Sequence, residues 1–192
     1  MSSQQGPGRR ICVVGTSGSG KTFVAEALAE KLDLTYICND AIIWRGDWQP
    51  STDSERLAEI DAATRAEGWT FDGNLSLDRD EDRLALERCD TLVWLDLPRW
   101  QTHWQVTRRT FARVITGEPL WHGNKESWRT MLSGDSIIWW SIKTFGRLRR
   151  EYAELFGDPA LVRLRRIRLR SRIEVDRWLA AATKPGRRAS FN

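Results

Sequence analysis

The sequence predicts an α/β fold, a parallel sheet of five strands with helices on both faces. Five short apolar runs alternate with stretches of helical periodicity. A glycine-rich turn joins the first run to the first helical stretch, as in a strand–loop–helix unit. Two capping boxes, Thr52 with Glu55 and Ser171 with Glu174, mark helix starts further along.

The first strand is Ile11 to Val14, β-branched and ending at Gly15; helical spacing follows from Lys21 through Leu32. Tyr36, Ile37 and Cys38 make the second strand, which ends at Asn39 and Asp40. After a loop from Trp44 to Pro50, Thr52 opens a helix of about four turns with Leu57 and Ile60 at helical spacing and Gly68 as its stop. Trp69 to Phe71 is the third strand, running into Asp72, Gly73 and Asn74, and a charged helix from Asp78 to Arg88 follows. Thr91 to Leu95 is the fourth; Asp96 is expected to cap the next helix, with Pro98 at helix-start spacing. Trp100, Trp104, Phe111 and Ile115 then recur on related faces until Gly117, Glu118 and Pro119 break the pattern. Beyond the loop Gly117 to Glu126, residues 128–156 read as helix, interrupted near Gly134 and stopped by Gly157, Asp158 and Pro159. The fifth strand falls within Leu161 to Leu169, and the Ser171 box opens a last helix through Trp178 to Ala182. Residues 1–9 and 184–192 are expected to be flexible, leaving a single domain at 10–183.

At 192 residues with 41% hydrophobic content the chain can bury one core, not two. Its opening MSSQQGPGRR has no apolar stretch, and the longest uncharged apolar run, Ser136 to Ile142, is too short to span a bilayer; a soluble, cytoplasmic protein is expected. Cys12, Cys38 and Cys89 lack CxxC spacing, so they read as reduced thiols and not as a zinc site or disulfide framework. His103 and His122 have no ligand at metal spacing. The net charge of +4 conceals a division: residues 1–96 hold 10 basic and 18 acidic side chains, residues 97–192 hold 20 and 8. Of eleven tryptophans, Trp69 and Trp94 fall in strands and read as core, while Trp44, Trp48, Trp139 and Trp140 stay open.

Gly15 to Thr22 reads GTSGSGKT, matching G-x-x-x-x-G-K-[ST] between a strand and a helix. Only glycines let backbone N–H groups wrap a polyphosphate so closely, and the helix N-terminus adds its positive end. The motif assigns Gly15, Ser17, Gly18, Ser19, Gly20, Lys21 and Thr22 to nucleotide binding, Lys21 as the point charge for the β- and γ-phosphates and Thr22 as a Mg2+ ligand. Asp72, ending the third strand, is either a second carrier of the metal or part of a turn with Gly73 and Asn74. No N/T-K-x-D guanine-reading motif occurs, and a motor needs more chain.

GTSGSGKT, ICND, FDGN, CDTLVWLDLPR and TRRTFAR together resemble the small P-loop kinases related to adenylate and shikimate kinases, above all the adenylate-kinase-like subgroup labelled DNA topology modulation proteins. The resemblance covers most of residues 10–180 and implies a three-layer P-loop NTPase fold with strand order 2-3-1-4-5 and a helical lid, about residues 109–150. Asp72 and Gly73 align with the DG of the adenylate-kinase DGFPR motif, but Asn74, Leu75 and Ser76 replace its last three residues, which counts against AMP as acceptor. Asp40 resembles the shikimate-type Asp that faces the acceptor hydroxyl; its other reading is a helix-start aspartate. Arg83 matches the family arginine before strand four, an acceptor ligand, with a surface salt bridge as the alternative.

Arg108, Arg109 and Arg113 precede the 117–126 loop and Arg147, Arg149 and Arg150 follow it, either as a lid closing over phosphoryl charge or as solvated helix faces; Arg109 is the catalytic candidate. Trp44, Arg45 and Trp48 either stack a planar acceptor or pack the loop. Arg163 to Arg170 reads as a basic strand or as a nucleic-acid contact. The expected function is transfer of the γ-phosphoryl group of Mg-ATP to a small nucleotide or hydroxy compound, with Asp40, Asn74 and Arg83 on the acceptor side; the alternative is a nucleotide-dependent regulatory or nucleic-acid-binding protein with weak ATPase activity. No membrane partner is expected, and the chain reads as a monomer or homodimer.

Overall fold

Strands covered on both sides need apolar side chains throughout, and β1 at Arg10–Gly15 is buried from Ile11 onward. In the computed structural model, which describes residues 7–131, 133–134 and 136–182, it lies at the centre of a parallel sheet. The other strands are β2 at Thr35–Cys38, β3 at Trp69–Asp72, β4 at Thr91–Leu95 and β5 at Arg165–Leu169, in the order β2-β3-β1-β4-β5. The register sets Val13 beside Asp72 on one side and Val93 on the other, so β1, β3 and β4 end together at one rim.

The helices are α1 (Lys21–Leu32), α2 (Asn39–Ile43), α3 (Asp53–Ala63), α4 (Asp80–Arg88), α5 (Arg99–Thr116), α6 (Trp128–Met131), α7 (Ile137–Gly157) and α8 (Arg172–Ala181). Alternation along β1 divides the core. Ile11 and Val13 pack with Val24, Ala25 and Leu28 of α1 and Val175 of α8. Cys12 and Val14 face Ile60 of α3, Leu86 of α4, and Leu148, Tyr152 and Leu155 of α7. Trp69 and Trp94 are fully buried in this second layer, as their strand positions predict. Cys12 and Cys89 are buried free thiols and Cys38 is half-buried. No helix among the described residues is long and apolar enough to cross a membrane.

Local structure departs from the sequence expectation at several points, each for a visible reason. The Thr52 box closes in both directions, but Glu174 reaches past Ser171 to accept from the Arg170 amide at 2.7 Å. The helix from Thr52 stops at Ala63 and not at Gly68, because Thr64 turns its hydroxyl back onto the Ile60 carbonyl while the Trp69 indole takes the Thr64 carbonyl. The N-terminus is not loose as far as residue 9: Gly8 donates to Thr91 Oγ1, and Arg9 and Arg10 donate their amides to Asp90. Residues 1–6 and the expected tail at 184–192 lie outside the described residues.

Asp96 caps nothing. Its buried carboxylate accepts from Arg149 of α7 (2.6 and 3.2 Å) and from Arg168 of β5 (3.0 and 2.6 Å), while α5 starts at Pro98 without a side-chain cap. Three arginines of the basic run are likewise engaged by groups of the same chain. Arg163 donates to the Leu86, Glu87 and Cys89 carbonyls at the end of α4, Arg166 donates to the Phe156 carbonyl, and Arg168 also lies 4.1 Å from the Trp94 ring.

Asp96→Asn should lower stability by about 2 kcal/mol in urea melts, because two arginines lose their shared anion. Asp82, buried on α4 and accepting from the Ser76 amide, responds to pH: burial pushes its pKa up to about 6, despite Arg79 beside it. A folded-state pKa above the unfolded one means that Asp82 favours the fold when protonated; this contribution is full below about pH 4 and fades as pH rises through about 6. Between pH 4 and pH 7 the unfolding free energy of Asp82→Asn should therefore gain on that of the wild type, by about 2–3 kcal/mol.

Candidate functional site

Three glycines with positive φ shape the loop between β1 and α1: Gly15 at 157°, Gly18 at 76° and Gly20 at 90°. At Gly15 a Cβ would lie 2.6 Å from Ser19 Oγ, and at Gly18 one would lie 2.2 Å from the Thr102 carbonyl oxygen of α5. Gly20 begins α1 without a side-chain cap, and no acidic residue occupies the first turn, so the positive end of the helix opens onto the cleft. Lys21 folds back over the loop and donates from Nζ to the Gly15 and Thr16 carbonyls at 2.9 and 3.4 Å. Burial lowers its pKa, with Asp72 and Asp40 pulling the other way and Arg109 adding to the fall.

Beside the lysine, the Thr22 hydroxyl donates to Asp72 Oδ2 at 2.5 Å, and Tyr36 of β2 donates to the same oxygen at 3.3 Å. Gly73 is needed next to it, since a Cβ there would lie 2.8 Å from the Asn39 side chain. Tyr152 of α7 donates to Asn74 Oδ1 at 3.0 Å and lies 3.4 Å from the Gly15 carbonyl, tying the segment after β3 to the loop after β1. Nothing in the residue pattern singled out Tyr36 or Tyr152: their parts depend on contacts with residues far away in sequence.

A cleft of about 1040 Å³ opens over these groups. Its lining brings together Ser17, Gly18, Gly20, Lys21, Thr22, Asp40, Asp72 and Asn74 of the sequence-derived site with Arg108, Arg109 and Arg113 of α5. Gly15 and Ser19 sit buried behind the loop. Asp40 keeps its carboxylate at the open cleft, yet the protein massed around it raises its pKa against the pull of Lys21 and Arg109. Crowding lowers the pKa of Arg109, and Arg113 adds to this; Arg113 in turn is 3.8 Å from Glu126 of the 117–126 loop. Trp104, Glu118, and Arg172 stacked 4.7 Å from the Phe23 ring also line the cleft, and no motif announced them.

Other candidate residues lie elsewhere. Arg83 is exposed on α4, where it makes the surface salt bridge of its second reading, 3.7 Å from Asp80, and donates to the Leu77 carbonyl; α4 turns that face away from the cleft. Arg147 pairs with Glu151 and Arg149 with Asp96. Trp48 meets both Trp44 and Trp121 edge to face, outside the cleft lining. Trp139 and Trp140, early in α7, are both exposed.

No known family model matches the sequence, and no curated protein does. Among solved structures the chain is similar to a shikimate kinase from Bacteroides thetaiotaomicron (13% identity, 90% of this chain and 94% of that one, TM-score 0.55). It is similar also to a shikimate kinase from Acinetobacter baumannii in complex with shikimate (15%, 90% and 90%, TM-score 0.52) and to a gluconokinase from Sinorhizobium meliloti 1021 (19%, 93% and 91%, TM-score 0.48). The shikimate kinases share the fold of this chain, and the likeness does not single out the DNA topology modulation subgroup.

Gly18→Ala should destabilise the protein by about 2–4 kcal/mol in urea melts, since the new methyl group meets both a left-handed backbone and the α5 carbonyl.

Proposed function

We propose that the protein is a P-loop kinase that transfers the γ-phosphoryl group of ATP to a small-molecule acceptor, with Mg2+ as cofactor. The observation that carries this reading is the convergence, in one cleft, of a glycine loop with its lysine, one carboxylate at the end of β3 and another in the first turn of α2, and three arginines of a facing helix. Such a set does what phosphoryl transfer asks: positioning, and charge stabilisation with little covalent chemistry.

In this reading the amides of residues 15–20 and the open end of α1 wrap the donor phosphates, and Lys21 swings from the Gly15 carbonyl to the β- and γ-phosphates. Thr22 and Asp72 suit Mg2+, which takes one or two protein oxygens and otherwise phosphate and water. The ion, when bound, neutralises phosphate charge. Arg109, with Arg108 and Arg113, stabilises the transferred group from the α5 side. Asp40, whose pKa is raised, receives the acceptor proton as transfer proceeds, and Asn74, held by Tyr152, offers the acceptor a hydrogen-bonding side chain. A cleft of about 1040 Å³ suits a nucleotide with a small partner. ATP as donor and three free thiols suit a cytoplasmic setting.

The test incubates the protein with Mg-ATP and a panel of nucleosides, nucleotides, sugars and hydroxy acids, and looks for ADP together with a phosphorylated partner by mass spectrometry. Lys21→Ala should reduce that turnover by about a thousandfold or more with unchanged far-ultraviolet circular dichroism. Full activity in this variant overturns the assignment, and ADP formed without any phosphorylated partner supports a nucleotide-hydrolysing switch instead.

A further inference from the structure

Two seven-residue segments, 44–50 and 119–125, follow the same backbone path from unrelated sequences, WRGDWQP and PLWHGNK. Each is closed by an antiparallel bridge between its ends, Trp44 with Pro50 and Pro119 with Lys125. In each, the second amide donates to the sixth carbonyl (Arg45 to Gln49, 2.7 Å; Leu120 to Asn124, 2.6 Å) and the sixth amide to the third carbonyl, at 3.2 Å in both. The fourth and fifth residues are left-handed: Asp47 and Trp48 in one, His122 and Gly123 in the other. Glycine adopts that state freely, but Asp47, Trp48 and His122 do so at about 1–2 kcal/mol each. A bulky residue is held there only where its surroundings leave no alternative.

The surroundings are the other loop. Asn124, 4% exposed, commits its whole amide: Oδ1 accepts from the Trp48 amide at 2.8 Å, and Nδ2 donates to the carbonyls of Arg45 at 2.7 Å and Trp121 at 2.9 Å. The Trp48 indole donates to the Lys125 carbonyl at 3.3 Å and packs edge-on against Trp44 and Trp121, with ring centroids 5.8 and 6.5 Å away. His122 Nε2 lies 3.0 Å from the Ala41 carbonyl, directly after Asp40 on α2.

We propose that Asn124 and His122 are positioning residues that clamp the tip of the 117–126 loop to the turn bearing Asp40. The loop is also fixed at its other end, where Glu126 faces Arg113. Cleft arginines and acceptor-side carboxylate are thereby held as one unit, and the two paired loops open together or not at all. What the clamp positions depends on the kinase reading above; the clamp itself rests on the loop geometry alone.

Hydrogen exchange of the full chain, followed by mass spectrometry, tests this for wild type, Asn124→Ala and His122→Ala. In Asn124→Ala, amides in 39–50 should exchange about tenfold faster or more, together with those in 117–126, while β1 and β4 keep their wild-type rates. The near-ultraviolet circular dichroism of the Trp44, Trp48 and Trp121 group should collapse at the same time. His122→Ala, which removes only the bond to Ala41, should speed exchange in 39–43 and leave the tryptophan signal in place. Faster exchange confined to 117–126, or no change in either variant, overturns the clamp. Mg-ADP should bind both variants within about threefold of wild type by calorimetry, because the glycine loop is untouched. A wild-type protein that fails to bind Mg-ADP counts against the kinase reading and leaves the clamp standing.

Discussion

The contact on which the cleft depends is made at Gly18, where the glycine loop meets the Thr102 carbonyl of α5 with no room for a methyl group. Neither partner can retreat easily. The loop is fixed from behind by Gly15 against Ser19 and Leu95, and α5 is fixed by its packing on α7 through His103 and Phe145. With the helix this close, Arg108, Arg109 and Arg113 arrive over Lys21 instead of standing off in solvent. A small change in a small residue would move three charges at once, since packed interiors transmit displacement and do not absorb it.

The charge division along the chain has a spatial counterpart. Asp40 and Asp72 from the acidic half face Arg108, Arg109 and Arg113 from the basic half across one cleft. Three other arginines of the basic half hold the sheet edge, Arg168 and Arg149 on Asp96 and Arg163 on the end of α4. Asp96 therefore has a structural role despite ending a strand at the same rim as Asp72. Position at a rim is not sufficient for a place in the cleft; what differs is that Asp72 faces Thr22 and Asp96 faces guanidinium groups.

Much of this was legible in the sequence because its determinants are local. β-branched runs, capping residues and the glycine motif fix strands, helix starts and the loop by short-range sterics, and all five strands fall where the apolar runs place them. The strand order came through likeness of motif and is borne out by the sheet. Asp96 misled, and Arg83 and the Arg163–Arg170 run stood between two readings, for one reason: the partner of an arginine or aspartate is chosen by tertiary approach, which spacing does not encode. Tyr152 and Asn124 were invisible for the same reason, since each acts on backbone or side chains about eighty residues away. Trp48 gave no warning of its left-handed backbone, a state that a tryptophan does not reach by its own preference.

Helix α7 joins two places that the chain keeps far apart. Tyr152, toward its C-terminal end, is pinned to Asn74 and to the loop after β1, whereas its first turn, with Trp139 and Trp140, projects exposed side chains at the other end. Thirteen residues of helix separate Trp139 from Tyr152, a rise of about 20 Å. Between the two ends Ser141 and Phe145 are buried against α5 beside His103, so the helix is held near its indoles as well as at its tyrosine. A load on the exposed indoles would therefore bear first on α5, the helix that carries Arg108, Arg109 and Arg113 to the cleft.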